Sequence, residues 1–298
     1  MLTLLNSWYE EDHKFVRWSP ASQARLREAK ISLGDQLKPF LSLRCKHIKG
    51  RGGAKGSVRF AQVMARQYRY VARFDIRHYY ESLNHEVLLR LLQESGITAE
   101  NMALVNEYLS LPDTQRKGCG MVAGGSISPL LGAVYLTPLD RAMEQLQPRH
   151  DIRYQRFMDD YLIFAPTRHK LKAALRTMYR VLDQLKLCVH PDKRSIGTTH
   201  RGFDFLGYRI HSDRKLRPAR QSLNRLLVRS RRLYEQGVDI NRLRQYVQRW
   251  LIWLHSGLRG KVSQQGGFTR IFVYILKQLN ITITSTHSKN LSLDFDLR

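Results

Sequence analysis

Two adjacent aspartates, Asp159 and Asp160, lie in the apolar stretch Phe157-Met-Asp-Asp160, which continues as Tyr161-Leu-Ile-Phe-Ala165, in a chain that is otherwise strongly basic. Neighbouring carboxylates repel, and burying them is costly unless water, a cation or a basic side chain answers their charge. A hairpin tip open to water meets that condition, and so does a divalent cation. Asp75 favours the cation. It ends a second apolar run in which Tyr70, Ala72, Phe74 and Ile76 share one face of a period-2 strand while Arg73 and Asp75 share the other. Carboxylates delivered from separate strands can bridge two Mg²⁺ ions roughly 3.5 to 4 Å apart, an arrangement that activates an attacking hydroxyl and neutralises a leaving pyrophosphate.

The elements that must hold these carboxylates are visible as hydrophobic patterns. Val87, Leu88, Leu91 and Leu92 have helical spacing, and Leu171, Ala174, Leu175, Met178, Val181, Leu182 and Leu185 outline a longer amphipathic helix starting soon after Pro166 and Thr167. From Ser222 onward the pattern is helical throughout, with Leu243, Tyr246, Val247, Trp250, Leu251 and Leu254 forming a stripe opposite Arg242, Arg244, Gln248 and Arg249. We therefore expect an α+β core followed by a basic helical appendage, and a frayed end from Thr282 to Arg298, which is rich in Ser, Thr and Asn.

Charge sets the class of partner. The 298 residues carry 50 Lys and Arg against 25 Asp and Glu, a net charge of +25, which points to a polyanion: nucleic acid first, an anionic membrane surface second. An apolar share of 43% excludes a disordered or collagen-like chain. Met1 to Ser7 is too short an apolar run for a signal peptide, and no run approaches the roughly 20 residues that span a bilayer, so a soluble, cytoplasmic protein without a membrane partner is expected. Cys45, Cys119 and Cys188 lack CxxC spacing and read as buried free thiols. From Gln36 to Phe74 basic residues occur without a single acid, and the run includes Lys49-Gly-Arg-Gly-Gly-Ala-Lys-Gly56, whose glycines admit close backbone approach but whose spacing is not that of a Walker loop. Lys49, Arg51, Lys55 and Arg59 are the candidates for phosphate contact there. A second acid-free block, Arg214 to Arg232, supplies Arg225, Arg229 and Arg232.

Five motifs in order resemble the successive palm motifs of reverse transcriptases: Arg73-Phe-Asp-Ile-Arg-His-Tyr-Tyr-Glu-Ser-Leu83, Gly120 to Leu131 continuing through Tyr135-Leu-Thr-Pro-Leu-Asp140, Arg156 to Asp160, His190-Pro-Asp-Lys193, and Phe203-Asp-Phe-Leu-Gly-Tyr208. The likeness is greatest to the bacterial branch that includes group II intron and retron enzymes. The resemblance implies a right-hand polymerase of α+β class: short basic fingers at residues 1–73, a ferredoxin-like antiparallel palm at 74–210, a helical basic thumb at 211–283 and a flexible tail at 284–298. It implies an RNA-directed DNA polymerase that extends a DNA or RNA primer with dNTPs on an RNA template, using two Mg²⁺ ions with Mn²⁺ as a substitute, and served by a dedicated non-coding RNA or accessory protein. The same palm would also support a phage-defence or untemplated DNA polymerase, or a non-catalytic maturase-like RNA-binding protein.

Residue by residue, the resemblance makes Asp75 and Asp159 the metal-binding aspartates, Asp160 a third, less direct carboxylate, and the Ile76 carbonyl a further ligand. Tyr80 takes the place of the aromatic gate that excludes a ribose 2′-OH. Phe205, Leu206 and Gly207 match the primer grip, Lys193 a lysine near the nucleotide or template, and the Ser128-Pro129 turn the element that positions template and incoming base. Ala123, beside Gly124 in the substrate-binding loop, stands where the family usually carries a glutamine, and Phe157 stands for the usual tyrosine before the paired aspartates.

Overall fold

The structure is a computed structural model that describes residues 1–10, 13–111, 118–264 and 267–281. The expected tail, with the rest of the segment after residue 281, lies outside the described residues. The chain forms two compact units, Met1–Arg201 and Gly202–Arg298.

The first unit opens with an antiparallel hairpin, β1 (Leu4–Glu10) and β2 (His13–Trp18), followed by α1 (Pro20–Leu37) and α2 (Gly53–Gln67). Ser19 caps α1 by accepting from the Ser22 N–H at 3.2 Å, and Pro20 occupies the first helical turn, where a missing N–H costs nothing. Strand β3 (Tyr70–Phe74) leads through α3 (Tyr79–Ser82), α4 (His85–Glu94), α5 (Ala99–Leu109), α6 (Ser128–Tyr135) and α7 (Thr137–His150) to the hairpin β4 (Arg153–Phe157) and β5 (Asp160–Ala165). Helix α8 (Arg168–Gln184) then leads to β6 (Ser195–Thr198). The four strands make one antiparallel sheet in the order β4-β5-β3-β6. Strand, helices, hairpin, helix, strand in this order is the ferredoxin-like β-α-β-β-α-β arrangement.

Both faces of the central strands are covered. Helix α8 packs on β3 and β5, while α2 packs on β4 and β5. This explains a departure from the one-sided reading of β3: Val71 is buried along with Ala72 and Phe74, because a central strand lies between two layers. The helical patterns hold. Val87, Leu88, Leu91 and Leu92 are the buried residues of α4, and Leu171, Ala174, Met178, Val181 and Leu182 those of α8, whose N-cap is Thr167. The three cysteines are free, but only Cys45 is buried; Cys119 is half-buried and Cys188 exposed. Cys188 follows Leu187, which is buried in the core, and is itself exposed.

A fully buried ion pair joins the sheet to its helices. Arg156 on β4 and Asp140 on α7 are both 0% exposed. The guanidinium donates from Nε to Asp140 Oδ1 at 2.8 Å and from Nη2 to Oδ2 at 2.8 Å, and also to the Ala133 carbonyl at 2.8 Å, while the Tyr154 hydroxyl donates to Oδ1 at 2.8 Å. A charge this deep is tolerated because each guanidinium nitrogen finds an acceptor, Nη1 reaching the Met158 carbonyl at 3.1 Å.

The second unit contains the small antiparallel sheet β7 (Phe203–Phe205), β8 (Tyr208–Ile210) and β9 (Arg217–Pro218), with helices α9 (Arg220–Glu235), α10 (Ile240–His255) and α11 (Phe268–Gln278). Leu226, Leu243, Val247, Phe272, Ile275 and Leu276 form its helical core. The strands bearing Phe205 to Gly207 thus fold with the helices that follow them.

Removing the Asp140 carboxylate while keeping Arg156 leaves a buried, unanswered charge. We expect Asp140→Ala to lower the unfolding free energy by about 3 to 5 kcal/mol in urea titrations, well beyond the cost of a surface carboxylate.

Candidate active site

The hairpin β4–β5 closes over two residues, Met158 and Asp159, since Phe157 pairs with Asp160. Met158 has φ 57°, in the left-handed region that side chains avoid, so this turn is strained and needs external support. Asp159 is thereby held at the end of β5. Asp75 follows the last residue of the adjacent strand β3, and its backbone is pinned from the other side: its carbonyl accepts from His190 N–H at 2.8 Å, and Arg77 N–H donates to the Cys188 carbonyl at 2.9 Å. These two bonds use the carbonyl of Asp75 and the N–H of Arg77, not the carbonyl of Ile76. The same segment delivers Lys193, whose Nζ stands 3.7 Å from Asp75 Oδ1.

The electrostatics follow from this crowding. Burial, and then the charge of Asp75, pushes the Asp159 carboxyl up to about 6, with Asp160 adding to the rise and Lys193 opposing it. Asp160 is engaged differently. Arg73 holds it with a two-pronged contact, Nε to Oδ1 at 2.9 Å and Nη2 to Oδ2 at 2.8 Å; burial raises the Asp160 pKa and Arg73 pulls against that rise. The paired aspartates thus have separate surroundings: Asp159 faces Asp75, and Asp160 is forked by an arginine. Strand alternation puts Arg73 on the face of Asp75 but does not show its partner. The signal was available once β3 and β5 were paired, because Arg73 lies opposite Leu162 and so diagonal to Asp160.

Among the described residues, no three His, Cys, Asp or Glu side chains converge as a self-sufficient metal cage. Asp75 and Asp159 suit a hard cation nonetheless. They are a repelling carboxylate pair whose charge a divalent ion would balance, and Mg²⁺ is commonly held by one or two carboxylates plus substrate phosphates and water.

Around this pair the other predicted residues take definite places. Tyr80, on α3, is half-buried with its ring 5.5 Å from that of Tyr79, and burial followed by the Asp159 charge raises its phenol pKa. Gly132 makes room for the two rings: a Cβ there would lie 3.1 Å from Tyr79 Cε1 and 3.4 Å from Tyr80 Cε1. The Tyr80 carbonyl accepts from Met121 N–H at 2.9 Å, which ties the loop containing Ala123 and Gly124 to the helix bearing Tyr80. Ser128 is buried and works inside the protein, donating to the Val122 carbonyl at 2.7 Å and meeting the Tyr108 hydroxyl at 2.7 Å. Any role of the Ser128-Pro129 turn in holding template therefore rests on its backbone and Pro129 rather than on the serine hydroxyl.

The basic candidates divide as well. Lys49 and Arg59 are exposed, and Lys55, on the first turns of α2, is half-buried, its ammonium pulled down to about 8 by burial. Arg51 turns back on the chain and donates to the carbonyls of Lys38, at 2.9 Å, and Ser42. In the second unit, Arg225, Arg229 and Arg232 are exposed on α9 at the spacing of one helix face, away from buried Leu226 and Ser230. Leu206 and Gly207 form a two-residue hairpin turn with φ 46° and 85°, the pair of positive values that a type I′ connection needs. Gly207 is also confined by space, since a Cβ there would come 3.2 Å from Trp253.

A ferredoxin-like sheet that presents aspartates from the ends of two adjacent strands defines a polymerase palm of α+β class. Residues 23–210, more than half of the chain, match the family described as reverse transcriptase (RNA-dependent DNA polymerase), and the chain belongs to that family. Domains of this family generally use divalent metal ions. No curated protein matches the sequence. Among solved structures, apo telomerase from Candida tropicalis aligns at TM-score 0.53 and 11% identity over 86% of this chain and 54% of its own. Telomerase from Candida albicans in complex with a fragment of telomeric RNA aligns at 0.51 and 13% over 90% and 49%, and the corresponding Candida tropicalis complex at 0.52 and 11% over 97% and 63%. The chain thus spans less than two thirds of these proteins, and the likeness is one of fold. Among the described residues no helix is long and apolar enough to cross a membrane.

A raised carboxyl pKa favours the folded state only while the group is protonated. Its contribution is complete below the ordinary value of 3.8 and is lost as the pH rises through about 6. In the presence of a chelator, Asp159→Asn should therefore unfold at a higher temperature than the parent at pH 8, and the two melting curves should converge near pH 4.

Proposed function

We propose that this chain extends a primer 3′ end with deoxynucleotides on an RNA template by two-metal chemistry, and that it belongs to the bacterial branch of the family suggested by its palm motifs. The observation that carries the reading is the convergence of Asp75 and Asp159 at adjacent strand ends, with Lys193 and Tyr80 beside them. Asp75 and Asp159, with the carbonyl of Ile76, would hold Mg²⁺, or Mn²⁺ in its place; the bound ions would activate the primer hydroxyl and neutralise the leaving pyrophosphate.

The remaining steps belong to the chain's own residues. Arg73 neutralises Asp160 and so keeps a third negative charge from adding fully to the crowded pair. Tyr80 sets a wall under the sugar of the incoming nucleotide, and its fixed ring leaves no space for a 2′-OH. Lys193, 56% exposed, can leave Asp75 for a phosphate oxygen of the nucleotide. Ala123 presents only a methyl where the family usually offers a glutamine amide, so contacts to the nucleotide there come from backbone and from flanking Gly124. Phe205, Leu206 and Gly207 would support the primer end through backbone groups. Arg225, Arg229 and Arg232, with Lys49, Lys55 and Arg59, would bind nucleic-acid phosphates without reading sequence, and Arg51 would contribute mainly by shaping its loop. The partners are then an RNA template, a DNA or RNA primer and dNTPs, with a dedicated non-coding RNA or accessory protein to choose the template, in a cytoplasmic setting.

Primer extension on a generic RNA template, with labelled dNTPs and Mg²⁺, tests this reading directly. Asp75→Asn and Asp159→Asn should each reduce incorporation on the order of a thousandfold while changing duplex affinity little, because neither touches the basic surfaces. Residual activity above about a tenth of the parent would remove these carboxylates from the chemistry, and equal synthesis without template would replace templated copying with untemplated synthesis.

Sugar selection offers a separate test. Tyr80→Ala should raise the ratio of kcat/KM for ribonucleotides to that for deoxynucleotides at least tenfold; an unchanged ratio would reduce Tyr80 to a packing residue.

A further inference from the structure

The strained turn bearing Asp159 is held by a residue from a distant part of the chain that the motifs do not include. Met158 N–H donates to His47 Nδ1 at 3.0 Å, and His47 Nε2 stands 3.0 Å from the Pro129 carbonyl oxygen. The partners dictate the tautomer: an amide can only donate and a carbonyl can only accept, so Nδ1 is the acceptor and Nε2 carries the proton. The ring also meets Phe157 edge to face, with centroids 6.0 Å apart, and the Cys45 sulfur lies 3.5 Å from Nδ1. On the opposite side of the turn, Arg156 Nη1 donates to the Met158 carbonyl at 3.1 Å. Both backbone groups of the residue with φ 57° are therefore occupied from outside the turn. The segment bearing His47 is itself registered against β4, because Lys46 N–H donates to the Arg156 carbonyl at 2.9 Å and Arg156 N–H to the Arg44 carbonyl at 3.1 Å.

We propose that His47 is a positioning residue for the polymerase reaction: its neutral imidazole ties the Met158–Asp159 turn to the Ser128-Pro129 turn and so fixes where the Asp159 carboxylate stands. The inference rests on the catalytic reading of Asp159 and deepens it. A single ring spans the two turns with one donor and one acceptor, and Arg156 supplies the second support. Without the imidazole, the Met158 N–H loses its acceptor and φ can relax towards an unstrained value, which displaces the carboxylate that follows. Burial and the neighbouring Arg156 and Arg51 charges push the imidazole pKa down to about 4, so the neutral form that this geometry requires is the form present under working conditions. A residue supporting the turn acts on rate rather than on affinity for nucleic acid, since a misplacement of about 1 Å can cost a hundredfold.

The test compares the parent with His47→Phe, which keeps a ring against Phe157 but removes both hydrogen bonds, and with His47→Asn, whose carbonyl can accept from Met158 N–H without reaching Pro129. His47→Ala serves if the Phe variant does not fold. Single-turnover incorporation per titrated active site should fall about 10- to 100-fold in His47→Phe, with duplex Kd within about twofold of the parent, and His47→Asn should recover a substantial part of the rate. Hydrogen exchange at the Met158 amide should be at least about tenfold faster in His47→Phe than in the parent, with His47→Asn in between. A purely structural role would lower the titrated fraction of active sites and leave the rate per site and the Met158 exchange unchanged, and that result overturns the proposal; so does a His47→Asn rate no better than that of His47→Phe. If the parent itself extends no primer, the polymerase reading fails on its own, and the Met158 exchange still decides whether His47 holds the turn.

Discussion

The structure is organised around the cost of holding carboxylates close together. Asp75 and Asp159 stand at the ends of adjacent antiparallel strands, and burial with mutual repulsion drives the Asp159 carboxyl up to about 6. A pair under such pressure relaxes apart unless the backbone beneath it is rigid. The sheet order β4-β5-β3-β6 supplies that rigidity, because β3 and β5 are its inner strands, with α8 packed on both and α2 packed on β5. A divalent cation would balance that charge, and Mg²⁺ is in general held by one or two carboxylates completed by phosphates and water rather than by a closed set of protein ligands.

Two arginines manage the remaining negative charge in different ways. Arg73 forks Asp160 at the edge of the site, where both side chains are partly exposed, and thereby separates the second aspartate of the motif from the first. Arg156 pairs with Asp140 in full burial and spends its other donors on the Ala133 and Met158 carbonyls. The deep pair thus joins the helix layer to the Met158–Asp159 turn through a single guanidinium. Substituting lysine at either position would keep the charge but lose the planar fork that makes these contacts simultaneous.

Close packing imposes its own requirements on the surrounding loops. A Cβ at Gly125 would fall 1.7 Å from the Tyr108 hydroxyl, which itself contacts Ser128, so the loop before α6 can close over that tyrosine only without a side chain. The same logic admits Gly132 beneath Tyr79 and Tyr80. These glycines shape the packing around Tyr79, Tyr80 and Tyr108, and the Ser128 hydroxyl is occupied within it by the Val122 carbonyl and the Tyr108 hydroxyl.

Much of this was open to inspection in the chain itself. Alternation around Arg73 and Asp75, helical spacing in α4 and α8, and the order of five motifs determined the α+β class, the position of Asp75 and Asp159 at strand ends and the basic character of both flanks, because periodicity and charge are properties of a linear string. Burial of Val71, the exposure of Cys188, the fork between Arg73 and Asp160 and the inward turn of Arg51 were not determined there. Each depends on which strand or loop lies beside which, and residues far apart in sequence acquire that relation only through the sheet. His47 is the clearest case. It lies 111 positions from Met158 and 82 from Pro129, in a stretch whose sequence advertises only positive charge. The tertiary structure alone brings its two ring nitrogens between an amide and a carbonyl, because hydrogen bonds to backbone groups leave no trace in the identity of the residues that provide them.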